Sequence, residues 1–224
     1  ISFTVVHGGG PRIKRELDKS NIQSKFIRGL RVTDKKIINI VESVLVDFNN
    51  DIVNSLKKFG TSAISIHTKK NNIIEVTPEV KELGFVGIPK KINVGLLEKI
   101  LNEKQVPIIS PLGLGNDNHP YNINGDTAAG AIAKSLKSRR LLLMTNVEGV
   151  LDKDKKLINE ISSSKILKMV EDNTITEGMI PKINTCLDAV KNGVTAVGII
   201  DGRKQHSILF EIFSDKGSGT LIRK

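Results

Sequence analysis

Tryptophan is absent from this 224-residue sequence, tyrosine and cysteine occur once each, and aromatic residues make up only 4% of it. A single cysteine excludes an internal disulfide, and Cys186, set in an expected helix, reads as a small core residue rather than a nucleophile. No apolar run approaches the roughly 18 residues that span a bilayer and no signal-peptide pattern opens the sequence, so a cytoplasmic protein is expected. The 4 histidines show no metal-ligand spacing, and zinc needs more clustered nitrogen or sulfur donors than occur here, so no protein-held metal is expected. Also missing are the G-x-x-x-x-G-K-[ST] phosphate loop, the dinucleotide fingerprint G-x-G-x-x-G after a strand, and a serine in a nucleophile elbow.

What is present is a basic but ordinary globular composition: 39% hydrophobic, 26% charged, a formal net charge of +10 and a pI near 9.6. Such a charge raises the question of nucleic acid. The lysines, however, are scattered among asparagine and isoleucine, without an arginine stripe or stacking aromatics, so nucleic-acid binding is not expected. Attraction to anionic metabolites fits the same charge. The length allows a substantial core, as one large domain or two joined lobes.

Hydrophobic periodicity predicts a strand at 1–6, a helix from Pro11 toward Lys19, and a hairpin or loop at 25–31. Two successive helical patterns run from Thr33 and Asp34 to Gly60. Strands are expected at 63–66, 73–76, 84–87, 106–110, 141–145, 196–201 and 220–222. Helices are expected at 94–102, 126–136, 163–171, 181–192 and 206–213, and a hairpin arm at 154–161. Continuous apolar strands alternating with helices predict an α/β protein with a mostly parallel sheet covered on both faces, read as two lobes sharing one sheet.

Ligands of such sheets bind beyond the carboxyl ends of the strands, and polar or glycine-rich segments fall there. Gly8-Gly9-Gly10 follows the first strand and offers backbone N–H groups to an anion. In Tyr121-Asn122-Ile123-Asn124-Gly125-Asp126, alternate positions of an extended strand would place Asn122, Asn124 and Asp126 on one face. That favours an active-site wall, with the alternative that Asp126 caps the following helix. Thr145-Asn146-Val147-Glu148-Gly149-Val150-Leu151-Asp152 follows a leucine-rich strand. Ile175-Thr176-Glu177-Gly178-Met179-Ile180-Pro181-Lys182 leads into a helix, where a glycine, a helix start and a lysine suit a phosphate.

Taken in order, Val6-His7-Gly8-Gly9-Gly10-Pro11, Gly29-Leu30-Arg31-Val32-Thr33-Asp34, Tyr121-Asn122-Ile123-Asn124-Gly125-Asp126, Gly178-Met179-Ile180-Pro181-Lys182 and Ile200-Asp201-Gly202-Arg203 resemble the amino acid kinase family, within it the members that phosphorylate N-acetyl-L-glutamate. The resemblance spans essentially the whole chain. It implies a three-layer sandwich around an open, mainly parallel sheet of about eight strands. An acceptor lobe over about 1–137 and a nucleotide lobe over about 138–224 follow from it. It also implies ATP-dependent phosphorylation of the acceptor's γ-carboxylate, in arginine biosynthesis. Gly9 and Gly10 are then expected to hold that γ-carboxylate, Arg31 the α-carboxylate through a bidentate guanidinium, and Asn122 and Asn124 the N-acetylated end. Thr145, Asn146, Gly149, Val150, Leu151, Thr176, Gly178 and Met179 are expected to line the nucleotide site.

The chemistry constrains the roles further. A side-chain carboxylate with a pKa of about 4.3 is already ionised at neutral pH and needs no general base. It needs relief from anion–anion repulsion and in-line placement. Lys182 is expected to stabilise charge in the transition state, with Mg²⁺ carried on ATP, and Asp126 to orient lysines rather than act as a base. The family's first strand carries a Lys-x-Gly-Gly motif, whereas this sequence begins at Ile1, so an N-terminal element is expected to be missing and the chain as given to be nearly inactive. Asn146 and Gly125 depart from the common aspartate and alanine. His206, Glu211, Gly217 and Gly219 resemble the arginine-inhibited members, which implies L-arginine as an effector and a homo-oligomer, dimer or hexamer. Competing readings are a family member with another carboxylate or phosphate acceptor, and a non-catalytic arginine- or nucleotide-binding subunit.

Overall fold

A computed structural model describes residues 1–175, 179–214 and 217–224. The chain forms two compact units, Ile1–Ala128 and Ala129–Lys224.

The first unit runs β1 (Val5–Val6), α1 (Gly10–Lys19), β2 (Phe26–Ile27), β3 (Leu30–Arg31), α2 (Lys35–Lys58), β4 (Ala63–Ile66), β5 (Ile74–Pro78), β6 (Gly87–Ile92), α3 (Val94–Asn102), β7 (Val106–Ile109), β8 (Leu112–Leu114) and β9 (Pro120–Asn122). Its central sheet is parallel, in the order β1-β7-β4. Val5 and Val6 pair with Ile108 and Ile109, and the first strand is confined to those two residues rather than extending from Ile1. The two helical patterns before Gly60 are one helix. Asp34 caps it by accepting from the Lys36 and Ile37 N–H groups, both at 2.8 Å, which satisfies donors a helix start leaves orphaned. Along α2 the residues Ile37, Val41, Leu45, Asn49 and Val53 recur four apart and all are buried, the stripe that faces a core. Val53 meets Ala63 and Ile108 there, and Leu45 joins Ile13, Leu17 and Leu112.

A second sheet in this unit, β6-β5-β8-β9, is largely antiparallel. Here the sequence reading needs correction. Residues 84–87 are not a continuous strand: Lys81–Leu83 forms a 3₁₀ turn, Gly84 has a φ of +68°, Gly84 and Val86 make only isolated bridges to Thr33 and Asn122, and the strand begins at Gly87. A Cβ at Gly84 would lie 2.4 Å from the Thr33 carbonyl, so backbone approach as well as φ demands glycine. The short β8 and β9 carry too little periodicity to be seen without their partners.

α4 (Gly125–Ser135) contains the division between the units. The second unit continues with β10 (Arg140–Thr145), β11 (Glu160–Ser162), α5 (Ser163–Glu171), α6 (Ile180–Lys191), β12 (Ala196–Asp201), α7 (Ser207–Phe213) and β13 (Gly219–Arg223). Its sheet order is β10-β12-β13-β11, with β10 and β12 parallel and β13 antiparallel to β12. The hairpin arm expected at 154–161 is present over its first part, where Leu157 bridges antiparallel to Leu151 and the Ile158 N–H donates to the Val150 carbonyl at 2.9 Å; it then continues into β11, which pairs in parallel with β13. Leu141, Leu143, Val197 and Ile199 share one face with Ile166 of α5 and with Ile183 and Cys186 of α6. Gly198 lies on the other face, where its Cβ would approach Glu211 of α7. Helices therefore cover both faces of this sheet, the layered α/β arrangement. Cys186 is buried in that cluster, as its helical setting predicted.

Ile183 is fully buried in the second core. Truncation loses both the transferred apolar area and the filled volume. Ile183→Ala is expected to cost about 2–5 kcal/mol of stability, read from the shift of the urea midpoint.

Candidate functional site

A cavity of about 200 Å³ in the first unit is lined by Gly8, Gly9, Gly10, Arg31, Asn122, Asn124 and Gly125, with Leu45 and Pro111 among its apolar walls. It thus collects all the residues that the sequence assigned to acceptor recognition. The glycine run leaves β1 and opens α1, whose first bond runs from the Ile13 N–H to the Gly9 carbonyl at 2.9 Å. Space favours glycine at position 9: a Cβ there would lie 2.3 Å from Leu45 Cδ2, so the packed leucine side chain would have to shift. The run can therefore present bare N–H groups, with close packing at Gly9 and open space around Gly8 and Gly10.

Arg31 ends the β2–β3 hairpin and is only 8% exposed. Its guanidinium donates to the Ser24 hydroxyl and lies 4.8 Å over the Phe26 ring centre, a favourable place for a cation. Burial lowers its pKa from the ordinary arginine value, opposed by Asp18, and the group remains a cation. Thr33 tethers the hairpin by donating to the Arg31 carbonyl at 2.8 Å.

The polar segment does not form one strand face. β9 ends at Asn122, and Asn124 rather than Asp126 caps α4, its Oδ1 accepting from the Asp126 and Thr127 N–H groups at 2.9 and 3.1 Å. Asn122 and Asn124 nonetheless both line the cavity, one from a strand end and one from a helix start. The cap occupies the oxygen of Asn124, so its Nδ2 donors are what it can offer a ligand. Asp126 lies half-buried in the first turn of α4.

Sequence reasoning missed a buried polar knot behind the cavity. His7 Nδ1 lies 2.8 Å from the Gly8 carbonyl, and Nε2 lies 3.1 Å from Ser110 Oγ and 3.2 Å from Asn49 Nδ2. Asn49 also donates to the Ile108 carbonyl at 2.9 Å, and Ser110 to the Leu45 carbonyl at 3.3 Å. The available signal was an asparagine in the apolar row 37, 41, 45, 49, 53 of α2. Burial lowers the His7 pKa; the bond to Gly8 opposes this, while Arg12 and His67 push the same way as burial.

In the second unit the carboxyl ends of β10 and β12 lie side by side, Thr145 opposite Asp201. The Gly202 N–H donates to the Thr145 carbonyl at 2.8 Å. Asp201 accepts from Arg203 N–H, Nε and a terminal nitrogen at 2.8–2.9 Å. These bonds hold its carboxyl at a pKa of about 2. Asn146 follows Thr145, Gly149 has a φ of +149°, the Val150 N–H donates to Thr220 Oγ1 at 2.8 Å, and Leu151 bridges to Leu157. These loops, at parallel strand ends, suit a nucleotide. Met179 precedes α6, and Lys182 lies half-buried in its first turn. Thr176 and Gly178 fall outside the described residues.

A second cavity, of about 140 Å³, is lined by Arg140, Glu160, Glu211, Gly217, Gly219 and Arg223 among others, without His206. Glu211 Oε2 accepts from the Ser218 N–H at 2.9 Å, and Oε1 lies 3.7 Å from Arg140. Glu160 pairs with Arg223 at 3.2 Å. His206 instead adopts a left-handed conformation, φ +59°, before α7. Among the described residues no helix is long and apolar enough to cross a membrane.

A profile of the amino acid kinase family matches residues 1–201. The chain belongs to the amino acid kinase family. It is 57% identical over 220 residues to the acetylglutamate kinase of Pelagibacter ubique, covering 98% of this chain and 76% of the relative. It is 47% identical over 229 residues to that of Clostridioides difficile, covering 100% and 80%. Among solved structures, a protein from Streptococcus mutans UA159 superposes with a TM-score of 0.86 at 31% identity, covering 99% of this chain and 86% of that one.

Because the folded protein holds His7 below its ordinary pKa of 6.5, an unfolded chain binds a proton there that the folded one resists. Its contribution to stability is complete above about pH 6.5 and is lost as pH falls toward the folded value. Thermal melting is expected to drop between pH 7.5 and 5.5, and His7→Phe to flatten that dependence in part. The remainder belongs to His67, whose pKa burial also lowers.

Proposed function

We propose that this chain transfers the γ-phosphoryl group of ATP to the γ-carboxylate of N-acetyl-L-glutamate, forming N-acetyl-L-glutamyl 5-phosphate in arginine biosynthesis. The observation that carries this reading is the gathering of Gly9, Gly10, Arg31, Asn122 and Asn124 around one cavity. An acceptor with two carboxylates and an amide calls for those groups. Backbone N–H donors meet the γ-carboxylate, a buried guanidinium meets the α-carboxylate, and carboxamides meet the N-acetyl end. The relatives named as acetylglutamate kinases support the same acceptor.

The acceptor arrives ionised, so the protein's task is placement and charge. In this reading the glycine run and Arg31 hold the acceptor, while the loops after β10 and before α6 hold ATP. Mg²⁺, carried on ATP, offsets phosphate charge. Lys182 is the fixed cation for charge that develops on the transferring group, and Asp126 orients rather than accepts a proton. With ATP and N-acetyl-L-glutamate, the protein is expected to release ADP. Lys182→Ala is expected to lower kcat by about 10²–10³ with little change in the acceptor KM. Equal rates would sink that role, and no ADP release from wild type would sink the reading.

The finer part of the proposal is feedback inhibition by L-arginine, in an oligomer, at the second cavity. Its support is the pair of carboxylates, Glu160 and Glu211, on that wall. Both already meet arginine side chains of this chain, so a guanidinium ligand has matching chemistry but must compete for it. Calorimetry with L-arginine is expected to show saturable heat; its absence would remove the effector.

A further inference from the structure

We propose that His7 is a positioning residue for the acceptor site, clamping through the Gly8 carbonyl the peptide plane that carries the Gly9 N–H. The proposal rests on the reading of Gly9 as a donor to the acceptor's γ-carboxylate. Its geometric basis is that His7 Nδ1 lies 2.8 Å from the Gly8 oxygen while Gly8, Gly9 and Gly10 line the cavity. A trans peptide is rigid, and its C=O and N–H point in opposite directions. Fixing the Gly8 oxygen toward the buried imidazole therefore aims the Gly9 N–H away from it. Glycine has no side chain to restrict its own backbone, so three in succession need an external restraint to present a donor in one direction.

The knot also fixes which nitrogen of His7 carries the proton. A carbonyl only accepts, so Nδ1 must donate to Gly8. The Asn49 amide must turn its nitrogen toward the Ile108 carbonyl, 2.9 Å away. That nitrogen's second hydrogen then faces His7 Nε2 at 3.2 Å, which makes Nε2 an acceptor. The imidazole is neutral and Nδ1-protonated. The groups around it are Asn49 and Phe48 of α2, Ser110 after β7, Arg12 of α1 and His67 after β4. The cations among them oppose a second proton.

The test measures binding by calorimetry for wild type, His7→Phe and His7→Asn, with N-acetyl-L-glutamate and, separately, adenylyl imidodiphosphate. His7→Phe keeps a flat ring without donors; His7→Asn restores an N–H near the Nδ1 position. His7→Phe is expected to weaken acceptor binding about tenfold, with the nucleotide analogue unaffected and His7→Asn recovering most of the loss. Unchanged acceptor binding in His7→Phe, no recovery in His7→Asn, or parallel loss of the nucleotide analogue would overturn the clamp. Nitrogen-15 NMR of the wild-type imidazole needs no variant to fold: a neutral Nδ1-protonated ring is expected, and the Nε2-protonated tautomer would overturn the proposal. Failure of wild type itself to bind N-acetyl-L-glutamate would instead overturn the acceptor reading, an outcome that the NMR measurement keeps separate.

Discussion

The bond from Asn49 to the Ile108 carbonyl is the constraint on which the first unit's site depends. It joins a completely buried amide in the middle of α2 to the central strand of the parallel sheet. Apolar packing along the same stripe is permissive about small shifts, whereas a buried hydrogen bond is directional and costly to leave unmade. The bond therefore sets how α2 sits on β7. From that setting follow the tautomer of His7, the placement of Ser110 and the reach of Leu45 toward the glycine turn.

The chemistry asks for something different from the fold. Two anions must meet, and a protein with a formal net charge of +10 favours both. Yet the bulk of that charge is scattered lysine on the surface. In the proposed reading the groups that matter are few and restrained: Arg31, buried against Phe26, and backbone N–H groups that carry no formal charge. Elsewhere the protein neutralises its own cations, as when Asp201 engages Arg203 beside the nucleotide-suited strand ends. Restrained donors act with little reorganisation, which diffuse surface charge does not.

Most helices and the parallel strands were legible because each has a strong local signal: a capping Asp34, a proline at a helix start, or a continuous apolar run before a glycine. The β8 and β9 strands were not. Three residues interrupted by Gly113, or opened by Pro120, have no period of their own and exist through pairing with each other and with β5. The polar segment 121–126 shows a subtler failure. Its alternation implied one strand face, but the chain turns at Ile123, and Asn124 reaches the cavity as a helix cap. Asn122 and Asn124 do meet at one cavity, but not through a shared strand face. The knot around His7 stayed hidden because its members lie up to 103 positions apart, and no local pattern joins them.

One helix face applies both restraints on the glycine turn. Leu45 and Asn49 are four residues apart on α2 and so lie one above the other on the same side. Asn49 holds His7, which holds the Gly8 carbonyl; Leu45 would have to shift to admit a side chain at position 9. The turn is thus bounded by a direction-specific bond on one side and a packed leucine on the other. On the proposed reading, flexible glycine then serves as an anion cradle: the residue supplies access, and α2 supplies the restraint that glycine lacks.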